Sequence, residues 1–152
     1  MRTDNRLSRI LHVLMHLGES DEPITSDMIG QMLGTNPSLV RRTMGGLREA
    51  GIVGSTKGHR GGWLLEKPLT EVSLVEVYAA LGEPKLFAMG TSNDTPTCLL
   101  EQAANAATQN ALEAARMTFL KSLSSQKVSD LIDEKREEIA TFQKRREKAQ
   151  SD

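Results

Sequence analysis

Residues 36–65 read NPSLVRRTMGGLREAGIVGSTKGHRGGWLL, and this stretch decides the fold. Asn36 can cap a helix and Pro37 is preset for a first helical turn, so a helix is predicted to begin here. Gly51 is expected to end it. The apolar positions of the helix recur on one side, which predicts that this side faces a core. They are Leu39, Val40, Met44 and Leu47.

A shorter helix precedes this one. Thr25 or Ser26 is its expected N-cap and Gly34 its terminator, and Met28, Ile29, Met32 and Leu33 form its inner side. The tight turn Gly34-Thr35-Asn36 then joins two helices, which is typical of a helix-turn-helix. An amphipathic helix is predicted further upstream, from Asn5 to Leu17, with Gly18 ending it.

Two short strands, 52–56 and 63–66, are predicted after the second helix of this pair. Between them residues 57–62 are rich in glycine and carry positive charge. A β-hairpin of this kind beside a helix-turn-helix is a wing, so the predicted fold class is mainly α with a small β-hairpin, a winged helix-turn-helix.

The polar side chains of this region suit DNA. A recognition helix must present long polar side chains from its first turns to the major groove while its other face holds the core. From residue 36 to residue 62 five Lys and Arg stand against one Glu, an excess of four positive charges in a chain whose net charge is −1. The candidate DNA-binding residues are Asn36, Ser38, Arg41 and Arg42 of the helix and Lys57, His59 and Arg60 of the wing. A protein-interaction module that does not read DNA is the alternative, but it would more often expose apolar residues here.

The same residues resemble a known family. LVRR at 39–42, LREAGIV at 47–53, GHRGGWLL at 58–65 and VSL at 72–74 are similar to the IscR–NsrR family of bacterial winged-helix regulators, also called Rrf-two. The resemblance extends from the first helix to about Leu131. It implies a homodimer that pairs through a long C-terminal helix and usually represses transcription. Two recognition helices related by a twofold axis predict an inverted-repeat operator with half-sites about one helical turn apart.

The sequence departs from that family in its cysteines. Many members hold an iron–sulfur cluster with three cysteines, whereas this chain has one, Cys98. A cluster held by protein thiolates needs more than one cysteine, so we expect no cluster and no other cofactor or metal.

The remainder of the chain predicts the domain organisation. Residues 1–82 are expected to form the DNA-binding domain, 83–97 a linker, 98–133 the dimerisation helices and 134–152 a charged tail, either helical or disordered. The long alanine-rich helix is expected from about Cys98 to about Leu123. A short helix, 128–133, with Ser125 as its cap, is expected to follow.

Cys98 has three interpretations. At the N-terminus of the long helix its thiol pKa would be lowered, which favours a redox or thiol-reactive sensor. A small buried apolar residue is the alternative, since free cysteine is among the most buried residue types. An intermolecular disulfide is the third.

Two other pairs attract attention. His12 and His16 are four residues apart and could share a metal, but without a further ligand we interpret them as a solvated helix face. Gly45 and Gly46 lie inside a helix, where each costs roughly 1 kcal/mol relative to alanine. Close approach of a neighbouring helix and deliberate pliability both remain open as reasons.

The composition bounds the class of protein. Hydrophobic residues make up 38% and aromatic residues 3% of the chain, which favours a helical core of Leu, Ile, Val, Met and Ala. Without an apolar run long enough to span a bilayer, or a signal-peptide pattern, we expect a cytoplasmic protein with no membrane partner. We find no catalytic constellation, so an enzyme is not expected.

Overall fold

The computed structural model describes the backbone of residues 3–151 and the side chains of residues 3–149. In chain order its helices and strands are α1 (Arg6–Glu19), α2 (Ser26–Leu33), α3 (Pro37–Glu49), β1 (Val53–Thr56), β2 (Gly62–Leu65), α4 (Leu74–Ala80), α5 (Leu99–Ser124) and α6 (Val128–Ser151). A 3-10 turn, Leu69–Glu71, lies between β2 and α4. The predicted class, mainly α with one small antiparallel hairpin, is confirmed.

One hydrophobic core joins α1, α2, α3, the hairpin and α4. Its members are almost all Leu, Ile, Val and Met, as the low aromatic content predicted, with Trp63 the exception among the largest side chains. The residues with no accessible surface are Val13, Leu14, Ile29, Met44, Leu47, Ile52, Val72, Val77 and Val128. Val128 belongs to α6, so the second half of the chain enters the same core.

The end of α1 differs from the prediction. Gly18 was expected to stop the helix after Leu17, but α1 continues to Glu19. Gly18 has a packing role instead, because a Cβ at this position would lie 2.6 Å from the Cδ1 of Leu69. The missing side chain lets the 3-10 turn pack directly on α1.

A short backbone pairing attaches the C-terminal helices to the first half of the chain. The N–H of Leu74 donates to the carbonyl of Gln126 at 3.1 Å, and the N–H of Val128 donates to the carbonyl of Val72 at 2.9 Å. The pairing fixes where α5 ends and α6 begins.

The cap of α6 also differs from the prediction. Ser125 was expected to cap this helix, but it closes α5 by donating from its hydroxyl to the carbonyl of Ser122 at 2.8 Å. At the start of α6 the carboxylate of Asp130 accepts from the N–H of Lys127 at 2.7 Å. From Val128 the helix runs through the charged segment to Ser151 rather than ending at Asp133, so the tail is helical where it is described.

No helix within residues 3–151 is both long and apolar enough to cross a membrane.

The start of α4 is fixed by a capping box. The hydroxyl of Ser73 accepts from the N–H of Glu76, and the carboxylate of Glu76 accepts from the N–H of Ser73 at 2.8 Å. Lys67 reaches the same carboxylate at 3.0 Å. The N–H of Ser73 is the largest cause that lowers the pKa of Glu76 to about 2 from its ordinary 4.5, and the Ser73 hydroxyl and Lys67 add to it.

This capping box makes stability depend on pH. A carboxyl group whose pKa is depressed in the folded state stabilises that state above its unfolded pKa and loses the effect as pH falls through the folded pKa. We therefore expect the free energy of unfolding to fall between about pH 4.5 and about pH 2, and Glu76→Gln to reduce this slope. Urea unfolding across that range measures it. Equal slopes in the two proteins would contradict the assignment.

The two central glycines of α3 have different surroundings. A Cβ at Gly46 would lie 2.6 Å from the carbonyl oxygen of Ala80, whereas nothing lies within 4 Å of one at Gly45. Gly46 therefore lets α3 approach the backbone of α4, which settles its reason as close approach. Gly45 has no such packing reason within the described chain.

Alanine at the two positions should have opposite effects. Gly46→Ala forces a methyl group against a backbone carbonyl, and we expect a loss of about 1–3 kcal/mol in the free energy of unfolding. Gly45→Ala enters open space and should raise it by up to about 1 kcal/mol through helix propensity. Chemical denaturation of both variants beside the parent measures the difference. Two similar effects would mean that the α3–α4 approach can relax.

Candidate nucleic-acid interface

The turn between α2 and α3 is compact. Gly34 has φ 63° and ψ 41°, a left-handed conformation that suits glycine. The N–H of Thr35 then donates to the carbonyl of Gly30 at 2.8 Å. A Cβ at Gly30 would lie 2.7 Å from the carbonyl oxygen of Thr35, so this turn needs glycine at position 30 as well as at position 34. At the other end of α2 the hydroxyl of Thr25 accepts from the N–H of Met28, which chooses Thr25 over Ser26 as the cap.

Asn36 caps α3, and this leaves only part of its side chain available for the predicted contact with DNA. Its side-chain oxygen accepts from the N–H of Leu39 at 2.9 Å and caps α3. The side chain is exposed and keeps its amide nitrogen as a donor. A contact from Asn36 to DNA would therefore be a donation, to a phosphate or to a base acceptor.

The outer side of α3 presents polar groups to solvent. Ser38, Arg41 and Arg42 are all exposed, while Val40 and Met44 on the opposite side are buried. Leu39 was predicted to face the core, but it is 42% exposed. One guanidinium nitrogen of Arg41 donates to the hydroxyl of Ser38 at 3.4 Å. This is a long hydrogen bond, so it leaves most of the guanidinium fork available.

The hairpin carries the second set of predicted residues. β1 and β2 are antiparallel, with Val53 opposite Leu65 and Thr56 opposite Gly62, which places residues 57–61 at the tip. The predicted wing residues Lys57, His59 and Arg60 are exposed on this tip.

A third segment pairs with the wing. Ile24 and Trp63 exchange backbone hydrogen bonds of 2.9 and 2.8 Å, which attaches the loop before α2 to β2. A Cβ at Gly62 would lie 2.7 Å from the backbone of Ile24, so glycine permits this pairing. The indole N–H of Trp63 also donates to the hydroxyl of Ser26, the first residue of α2, at 2.9 Å.

Arg48 and Ser26 are positioning residues that the sequence reasoning missed. The guanidinium of Arg48 lies 5.7 Å from the centre of the Trp63 ring and donates to the hydroxyl of Ser55 at 3.3 Å. Arg48 thus connects the end of α3 to the wing, although the sequence showed it only as one of five cations. A role for a residue such as Ser26 could have been expected from the sequence, because the N–H of a buried tryptophan needs a hydrogen-bond acceptor.

The cations of this surface are exposed to solvent. Within residues 3–149 no ion pair involves Arg41, Arg42, Lys57 or Arg60. Lys67, by contrast, pairs with Glu76. Unpaired cations at exposed positions are available for phosphates, so the local positive charge acts outward rather than within the protein.

Cys98 lies away from the wing, immediately before α5, and its thiol is exposed. The expectation of a buried cysteine is therefore wrong. The backbone N–H groups of Glu101 and Leu100, in that order, lower the pKa of the thiol because they stabilise the thiolate. Sensing by Cys98 stays a prediction.

The residues present do not fit an iron–sulfur cluster. The chain has one cysteine, and within residues 3–149 no three His, Cys, Asp or Glu side chains converge in a way that could hold a metal ion. A cluster needs several ligands around one site.

His12 and His16 lie on the solvent side of α1, as expected, but they are in contact. Their Nε2 atoms are 3.0 Å apart and their rings meet edge to face. Partial burial, followed by the neighbouring His12, lowers the pKa of His16, while Glu19 opposes the shift.

A helix-turn-helix with a basic hairpin beside it and unpaired cations on both elements defines a winged-helix DNA-binding protein. The chain belongs to the Rrf2 (Rrf-two) family, whose model, described as an iron-dependent transcriptional regulator, matches residues 3–134. Tail residues 135–151 lie beyond that match.

Known proteins support this assignment. The chain is 30% identical over 131 residues to YwnA of Bacillus subtilis, named an HTH-type transcriptional regulator, and the match covers 86% of this chain and 96% of YwnA. A crystal structure of a transcriptional regulator from Lactobacillus plantarum aligns with TM-score 0.72 and 19% identity, over 95% of this chain and 98% of that one. CymR, the global cysteine regulator of B. subtilis, aligns with TM-score 0.59 and 18% identity, over 88% and 97%. The chain is a DNA-binding transcriptional regulator.

The two parts of the interface should fail differently. Arg60→Ala should weaken binding to most sequences and reduce the salt dependence, because a lost phosphate contact lowers the slope by about 1. Arg41→Ala or Arg42→Ala should change which sequences are preferred, by about 1–3 kcal/mol at one base pair, if that side chain reads a base edge. Binding of operator and random duplexes across a salt series separates the two effects. Equal losses on both duplexes for all three variants would reject base reading by α3.

Proposed function

We propose that this regulator is a homodimeric repressor that binds an inverted repeat, with α5 pairing to the same helix of a second copy. The observation that carries the proposal is an uncovered apolar face on the longest helix. The family assignment extends to DNA-binding regulation. The homodimer, the inverted repeat and repression are what we propose beyond it.

The outer face of α5 has no partner among residues 3–149 of its own chain. None of the 26 residues of α5 is buried. Its inner side, which includes Leu112 and Phe119, is half-buried and packs on α4. On the outer side Leu100 is 82% exposed and Met117 is 56% exposed.

The composition of that face suits a second copy of the helix. Five exposed alanines follow Leu100 at helical spacing and have no charged residue among them: Ala103, Ala104, Ala107, Ala111 and Ala114. Small residues let two helix axes approach to the near end of the usual range of about 8–10 Å. A helix of 26 residues is about 39 Å long, enough for an extended seam.

A dimer also gives the DNA interface its selectivity. One recognition helix reads few base pairs, whereas two related by a twofold axis read two half-sites about one helical turn apart. A dimer bound across a promoter would exclude other proteins from that DNA, which is the simplest basis of repression.

An aspartate on the seam tests the dimer. Ala107→Asp or Ala111→Asp would bring two like charges together at the twofold axis, which is costly without compensating partners. Because both alanines are exposed in the single chain, we expect a folded monomer with unchanged circular dichroism. Sedimentation should show the loss of the dimer, and binding to an inverted repeat should weaken while binding to one half-site persists.

The matched control is Gln109→Asp, which adds the same charge to an exposed position of α5 almost opposite Ala107. It should dimerise like the parent. A wild-type monomer at micromolar concentration would refute the dimer, whereas dimerisation of both seam variants would refute only the choice of seam.

A further inference from the structure

We propose that His12 and His16 form a two-imidazole site on α1 for a divalent transition-metal ion of the Cu²⁺, Ni²⁺ or Zn²⁺ class. Neither the family assignment nor the DNA interface involves this pair. No third protein ligand lies beside the pair within residues 3–149, but the two ring nitrogens are close enough to share an ion.

The spacing of the two nitrogens matches a shared ion. Their Nε2 atoms lie 3.0 Å apart. Two nitrogens about 2.0 Å from one metal lie about 2.8 Å apart at a right angle and about 3.3 Å apart at the tetrahedral angle. The observed distance falls between these limits, so the two nitrogens are close enough to share one ion once their ring planes turn toward it.

The helix holds the pair ready for a ligand. Val13, Leu14 and Leu17 on the opposite face of α1 are almost fully buried, which fixes the backbone that carries both histidines. Residues four apart on a helix lie one above the other, and both imidazoles are exposed to solvent. A metal ion would need to immobilise only two side chains rather than order a loop.

The donor set selects the class of ion. Imidazole nitrogen suits Cu²⁺, Ni²⁺ and Zn²⁺, while Mg²⁺ and Ca²⁺ prefer oxygen. Within residues 3–149 no third His, Cys, Asp or Glu completes the set, so water would occupy the other positions of the ion. Binding at such a site is reversible and weaker than at a structural zinc site, which has four protein ligands.

A hydrogen bond between two neutral imidazoles would give the same distance. The test must therefore distinguish a metal-binding pair from a pair that is only hydrogen-bonded. The third histidine, His59 on the wing, supplies a matched control because it is also exposed and lies far along the chain. All proteins carry Cys98→Ser, because the exposed Cys98 thiol binds the same ions. Glutamine replaces histidine, since it is polar and favours helices.

The experiment titrates the full-length chain with Ni²⁺ by calorimetry, at a pH above the ordinary imidazole pKa of about 6.5. We expect one ion per chain, and His12→Gln and His16→Gln should each weaken binding about tenfold or more because one imidazole remains. His59→Gln should bind like the parent. Ni²⁺ should also raise the melting temperature of the parent and of His59→Gln but not of the other two variants.

Three outcomes would overturn the proposal. They are the absence of binding at millimolar Ni²⁺, a loss confined to one of the two α1 variants, and a loss in His59→Gln equal to theirs. Circular dichroism of each variant without metal verifies that the exposed substitutions leave the fold intact.

Discussion

The DNA-reading half of the molecule depends on the indole of Trp63. Its ring is 5% exposed within the core, its N–H reaches Ser26 at the start of α2, and Arg48 from the end of α3 lies over its face. Its backbone pairs with Ile24 before α2. Two helices and the wing thus meet at one residue, which holds the wing against the helix-turn-helix. A buried tryptophan can do this because its ring offers a large apolar surface together with one polar atom that must be satisfied.

The second constraint is the backbone pairing of residues 72–74 with residues 126–128. It leaves Val128 with no accessible surface and sets α6 against α1 and the 3-10 turn. The helix that we propose for dimerisation, α5, is therefore attached to the winged helix by this pairing at its C-terminal end, and it also packs on α4.

The net charge of the chain is small, but positive charge is concentrated on α3 and the wing tip. With a net charge of −1, the molecule as a whole has no electrostatic preference for DNA. Lys67, Arg116 and Lys135 pair with carboxylates, whereas the cations of α3 and the wing tip are left facing solvent. Local unpaired charge is what a phosphate backbone responds to, because interactions between exposed charges are screened beyond about 10 Å in moderate salt.

The sequence by itself determined the helix-turn-helix, the hairpin and the long α5, because caps, glycine terminators and apolar spacing are local signals. It also placed Arg41, Arg42, Lys57, His59 and Arg60 on exposed positions. Tertiary structure decided what local patterns cannot encode. Gly18 is a glycine inside α1 because Leu69 occupies the space that a side chain would need. Gly46 differs from Gly45 because only Gly46 faces Ala80.

Cys98 is exposed although its residue type favours burial. His12 and His16 are neighbours because they are four residues apart on a helix, and they face solvent because other faces of α1 pack into the core. Which faces of a helix are covered depends on residues far apart in the chain, and that is a property of the packed fold rather than of any short segment.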